Sequence, residues 1–148
     1  MPLLDALELL GTSCAALFAG AALYINLVEH PARMQLETRI AAAQWAPSYK
    51  RATWMQAPLA LASFLAGTMV WLMGAGASWL IAALLIGAVV PFTLVVVAPT
   101  NDRLLDPARD RGSAETRALL QRWARLHAVR TGLGLAATVT YLLALNRP

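Results

Sequence analysis

Charge is scarce in this sequence. Asp, Glu, Lys and Arg together make up 14% of its 148 residues, against 59% that are hydrophobic, and the mean hydropathy is +0.57. A soluble domain of this length cannot hide so much apolar surface, so a water-bathed globule is excluded and the bilayer becomes the solvent. Cysteine is nearly absent. Cys14 stands alone in an apolar stretch, which rules out an intrachain disulfide and a thiolate metal cluster and leaves a small buried apolar residue. No basic residue precedes Arg33, and Asp5 and Glu8 lie where a signal peptide carries positive charge; the first apolar stretch is expected to be retained. The net charge of +4 sits in two connecting segments, not along a basic groove with interleaved aromatics, so no nucleic-acid partner is expected. Internal repeats and low-complexity tracts are missing too.

What remains is four apolar stretches, roughly residues 7–28, 53–73, 78–98 and 123–145. Each supplies the roughly 20 residues that cross a hydrocarbon core of about 30 Å. The expected fold is all-α: one integral membrane domain over residues 1–148, an up-down four-helix bundle with a longer first loop. His30-Pro31 and Pro99 read as helix stops and Pro91 as a kink, because proline lacks the N–H and restricts the residue before it. Ser113, with Glu115 two residues on, reads as the cap of the last helix.

The connection at residues 74–78 is short and uncharged, which favours an antiparallel pair. The other two are basic: Arg33, Arg39, Lys50 and Arg51 in the first, and Arg103, Arg109, Arg111, Arg117 and Arg122 in the third. The positive-inside rule puts both long loops in the cytoplasm and both termini outside, in an inner or plasma membrane. Residues 32–46 fit a short interfacial helix with apolar contacts from Met34, Ile40 and Trp45. Trp45, Tyr49 and Trp54 suit an aromatic belt at headgroup level.

The informative pattern lies on the last helix. At about 100° per residue, Trp123, His127 and Arg130 share a stripe that Gly134, Ala137 and Tyr141 continue. Small residues on membrane helices are sufficiently explained by close packing; ionisable ones at the mouth of a span mark a cavity, pathway or site. Glu29, His30, Gln56, Asn101, Trp123, His127 and Arg130 all fall at one end of their helices, and the opposite end is nearly featureless. Two readings stay open. In one, a Glu29–Arg130 salt bridge ties the first helix to the last. In the other, Asn101, His127 and Trp123 enclose a site, with Gln56, Asn26 and Tyr141 as further substrate contacts.

Thr100-Asn101-Asp102-Arg103-Leu104 after Pro99, followed by Trp123-x-x-x-His127-x-x-Arg130, resembles the anthrone-oxygenase-like family of small four-helix membrane proteins, many of unknown function. The resemblance extends over nearly the whole chain in size, span order and motif position. It implies the four-helix fold and marks Asn101, Trp123, His127 and Arg130. The best-understood relatives oxidise anthrones to anthraquinones with molecular oxygen, which implies a small aromatic, apolar substrate.

The chemistry needs little. A base removes a proton from an acidic methylene, and the electron-rich enolate then passes an electron to oxygen without a cofactor. His127 is the natural base, since an unperturbed pKa of about 6.5 leaves it mostly neutral at pH 7. Arg130 and Asn101 would hold the developing oxyanion, and Trp123 would offer a flat wall. No cofactor is expected. A metal would have only Glu29, His30 and His127, whose spacing matches no complete metal motif. That trio defines one alternative, a metal-binding redox protein; a non-catalytic small-molecule binder or accessory subunit is the other. The lipid bilayer is a partner in every reading, and a homo-oligomer is compatible with all of them.

Overall fold

A computed structural model describes residues 3–146, and all regular structure among them is helical. Four helices are long and apolar enough to cross a membrane: α1 (Leu3–Arg33), α2 (Thr38–Leu72), α3 (Ala77–Leu105) and α4 (Ala114–Leu145). Each packs on two neighbours in a closed square, α1 against α2 and α4, and α3 against the same two. This is the four-helix bundle that the apolar stretches imply.

The prolines act differently from the expectation. Pro31 and Pro99 do not stop their helices. Each is preceded by one wide, π-helical turn, Ile25–Glu29 and Thr93–Val97, closed by hydrogen bonds from the His30 and Ala98 N–H groups to the Ile25 and Thr93 carbonyls. The carbonyls that lose a proline N–H, those of Leu27 and Val95, lie within these turns, which make room for the ring so that the helix continues. At Pro91 the kink has a structural counterpart: α3 is interrupted at Ala88, next to the Gly87 carbonyl that Pro91 leaves without its helical partner.

The first connection shrinks as a result. α1 runs to Arg33 and α2 starts at Thr38. The helix expected over residues 32–46 is present from Thr38, not as a separate interfacial element but as the first turns of α2. At about 1.5 Å per residue, the 35 residues of α2 reach about 52 Å, well beyond a core of about 30 Å. The α2–α3 turn is tight, and Gly74 and Gly76 take φ of 91° and 108° there, which favours glycine. Ser113 caps α4 as expected, accepting the Thr116 N–H at 3.1 Å.

Three layers fill the interior. Trp79, Val70 and Tyr141 pack one end, and Phe18, Ile86 and Ala137 the middle. Trp45, Leu120 and Trp123 fill the end where α1 leads into α2. Leu17, Leu27, Trp54, Leu94 and Leu143 are exposed and form the lipid-facing surface. Packing, not exclusion of water, holds such helices together, so small residues decide how close they come. A Cβ on Gly134 would lie 2.8 Å from the Phe18 ring, which fixes the α1–α4 approach one turn from Arg130.

Candidate active site

The α4 stripe is buried along its whole length: Trp123, His127, Arg130, Gly134, Ala137 and Tyr141. Its first three residues meet side chains from α1 and α2. Trp123 stacks on His127 with ring centroids 4.8 Å apart, lies 5.3 Å from His30, and is met edge-on by Trp45 at 5.7 Å. Trp45 in turn stacks on Tyr49. His127 Nδ1 lies 2.7 Å from Asn26 Oδ1. Arg130 donates from Nη2 to Gln56 Oε1 at 2.9 Å, and its guanidinium sits 5.8 Å from the Phe18 ring centroid.

The expected Glu29–Arg130 pair does not form. Glu29 is taken by Arg33, four residues on in the same helix, and Ser48 donates to the same carboxylate oxygen. Arg33 also donates to Gln44 and lies 3.1 Å from His30 Nδ1. Because the wide turn carries α1 through Pro31, Arg33 is delivered into the interior, 3% exposed, where the sequence alone reads as loop. The tie between helices therefore exists, but it is made by Arg33 and joins α1 to α2. Arg130 is left as a buried guanidinium, 8% exposed, with no carboxylate in ion-pairing range among the described residues.

The remaining candidate residues take other places. Asn101 makes no hydrogen bond to His127 or Trp123; it is buried and donates to the Tyr49 hydroxyl at 3.1 Å, and its Oδ1 has no partner among the described residues. Through Tyr49, which stacks on Trp45, it joins the aromatic wall of the site. Tyr141 belongs to the far end, donating to the Ser63 carbonyl at 3.0 Å and packing on Trp79; fourteen residues of helix, about 21 Å, separate it from His127. Glu29, His30 and His127 form no metal-binding group among the described residues, with Glu29 turned to Arg33 and Ser48. Asn26 also lies behind the site, bonded to His127 and to the Ala124 carbonyl.

Trp45 and Tyr49 line the candidate site, a placement that sequence reasoning missed. Of the three aromatics that suit a headgroup belt, Trp45 is 1% exposed, and Trp54 alone has the exposure a belt needs. The signal was present: Ala41, Trp45, Tyr49, Ala52, Gln56 and Ala60 continue one stripe at helical spacing, legible once α2 is extended upstream.

Two spaces meet at the Arg130–Gln56 pair. On one side lies a cavity of about 10 Å³, room for roughly one water molecule, with Trp45, Tyr49, Trp123 and His127 in its lining. On the other is an apolar recess of about 150 Å³ walled by Phe18, Ala57, Ala60, Val90 and Leu94. Leu94 is largely exposed, so the recess opens between α2 and α3 toward lipid. Around the smaller cavity, Trp45 Nε1, Trp123 Nε1, Gln56 Nε2 and Arg130 Nε are buried and make no hydrogen bond. All four are donors. Native proteins rarely leave such groups unpaired, and a cluster of donors around one space is complementary to an electron-rich oxygen.

Residues 45–140 match the family model for anthrone oxygenase. That stretch contains Gln56, Asn101, Trp123, His127 and Arg130, and leaves out Asn26, Glu29 and His30. A 69-residue segment is 44% identical to anthrone oxygenase tpcL of Aspergillus fumigatus and covers 45% of this chain. It spans 43% of that relative, less than half its length. No solved structure matches the chain.

Proposed function

The chain belongs to the anthrone oxygenase family, and on that premise we propose that it is a membrane-embedded oxygenase that uses O2 to oxidise a small aromatic substrate of the anthrone or phenol type, without a cofactor. The observation that carries this reading is Arg130: a buried guanidinium with no carboxylate, placed between an apolar recess and a ring of unpaired donors beside His127. An intramembrane cation of this kind calls for a partner with negative charge. A substrate oxygen that becomes an oxyanion during the reaction is such a partner.

The roles follow from position. The apolar rings enter from the bilayer through the recess. At about 150 Å³ it is smaller than the roughly 300 Å³ of an ordinary ligand pocket, so a tricyclic substrate must part Ala57 from Val90 and Leu94, and its reacting edge must displace Gln56 from Arg130 to reach His127. His127 removes a methylene proton; Arg130, with the indole N–H groups of Trp45 and Trp123, holds the resulting oxyanion. Well-placed donors in a dry site are each worth about 10²–10³-fold in rate. The enolate reduces O2, the two recombine as a hydroperoxide on the former methylene carbon, and loss of water leaves a carbonyl. One oxygen atom stays in the product and the other leaves as water.

The basic ends of the helices belong in the cytoplasm and both termini outside, in an inner or plasma membrane. The site then sits near the cytoplasmic headgroup level, since His127 is 18 residues, about 27 Å, from the end of α4.

The test is oxygen uptake by purified protein, stripped of metal with chelator, given an anthrone. Turnover with equimolar formation of the quinone is the expected result. Turnover that returns only with added metal would overturn the cofactor-free chemistry, and no turnover across a panel of anthrones and phenols would overturn the oxygenase reading.

A further inference from the structure

We infer that Asn26 is a positioning residue that fixes the proton of His127 on Nδ1 and leaves the lone pair of Nε2 as the basic site. The inference rests on the reading of His127 as base, and it identifies which ring nitrogen does the work and what holds it there.

The argument begins with the orientation of one amide. Asn26 Nδ2 donates to the Ala124 carbonyl at 3.1 Å. A backbone carbonyl only accepts, so the nitrogen of the amide must face it and the oxygen must face the other way. Turning the amide over would set two carbonyl oxygens against each other. The oxygen so placed has two neighbours on α4, the Thr131 hydroxyl, which donates to it, and His127 Nδ1 at 2.7 Å. Asn26 Oδ1 carries no hydrogen. A short contact between it and a ring nitrogen is favourable only if that nitrogen is protonated. In a neutral imidazole the other nitrogen, Nε2, is then the acceptor.

The position of Asn26 explains why it can do this. It lies in the wide turn Ile25–Glu29 of α1, behind the ring and outside the lining of both the recess and the small cavity. His127 itself lines the small cavity. Since Nδ1 is occupied by Asn26, Nε2 is the nitrogen left to act there. The second histidine is set the opposite way. Arg33 has only donors to offer and meets His30 at Nδ1, 3.1 Å away, so the neutral ring of His30 carries its proton on Nε2. Two buried histidines that both touch Trp123 thus hold opposite tautomers, and only His127 turns a lone pair toward the site.

The experiment reads the tautomer directly. The chain has two histidines, so 15N-histidine-labelled protein in lipid nanodiscs gives two rings to assign, and His127→Ala assigns them by subtraction. The expected spectrum shows His127 with protonated Nδ1 and bare Nε2. Asn26→Asp, which keeps an acceptor at that place, retains the signature. Asn26→Leu, which has none, loses it in part or whole, with kcat falling by about 10–100-fold, as for other orienting partners of histidine, and KM little changed. A wild-type ring protonated on Nε2 overturns the inference; so does a folded Asn26→Leu protein with the wild-type tautomer. If Asn26→Leu does not fold, the wild-type and Asn26→Asp spectra decide. A locked Nδ1 proton in a protein that turns over no anthrone would remove the oxygenase reading and leave the assignment of Asn26 standing.

Discussion

The Tyr141 hydroxyl occupies the place where a Cβ on Gly67 would be, 2.0 Å from it. The last helix and the second are thereby locked at the end of the bundle away from His127, and the hydroxyl is satisfied by the Ser63 carbonyl. Gly67→Ala is expected to destabilise the protein by about 1–3 kcal/mol through overpacking. Tyr141→Phe should cost about 1 kcal/mol for the lost hydrogen bond and leave kcat unchanged. Thermal unfolding in detergent and steady-state oxygen uptake measure both; a large loss of turnover in Tyr141→Phe would return that residue to the site.

Arg130 should tolerate removal of its charge better than Arg33, whose loss strands Glu29. Replacing Arg130 with Met strands no carboxylate and leaves only the buried Gln56 carbonyl without its donor, so the loss of stability is expected to stay within about 1–3 kcal/mol. Its turnover should drop by about 10²–10³-fold. A larger loss of thermal stability, about 3–5 kcal/mol, would mean that Arg130 has a structural counter-charge after all.

Glu29→Gln removes the charged partner of a 3% exposed guanidinium. Because Glu29 itself is part-exposed, at 23% of its side chain, the cost is expected nearer about 2 kcal/mol than the larger value of a fully buried pair. Chemical denaturation of the purified variant checks it, and unchanged stability would show that the α1–α2 tie carries little.

His127→Ala should fold and bind substrate while losing about 10²–10⁴-fold in kcat, the usual contribution of a general base. Single-turnover quinone formation separates this from slowed release. A variant that folds and keeps its rate removes His127 from the chemistry.

A cysteine introduced at Arg111, in a Cys14→Ala background, is expected to resist a membrane-impermeant maleimide in intact cells and to label after lysis. Labelling from outside would invert the proposed topology.

How much of this was legible beforehand varied with the kind of cause. The bundle was, because four apolar runs have one solution in a bilayer. So was the buried α4 stripe, because no proline disturbs its 3.6-residue period between Trp123 and Tyr141. Pairings were harder. Glu29 lies four residues from Arg33 and was matched to Arg130 only because Arg33 was read as loop, beyond a proline taken for a stop. A backbone that widens to pass a proline leaves no mark in composition. Asn101 was misplaced for a related reason. Its motif was visible, but the partner it takes, Tyr49, comes from turns of α2 upstream of that helix's apolar stretch.

The wide turns ahead of Pro31 and Pro99 have a consequence for what the chain tolerates. Each is, in effect, one residue more than an α-helix needs to travel the same distance, so every residue after it lies about 100° back from where an unbroken α-helix would put it. Removing a single residue from Ile25–Glu29, such as lipid-facing Leu27, would let the turn relax to α geometry and leave His30 and Arg33 on the interior face. A one-residue deletion in the regular turns of α4 has no such slack and would rotate everything after it by about 100°. The site is held in place partly by the spacing of the chain, independent of the identity of the residues that supply it.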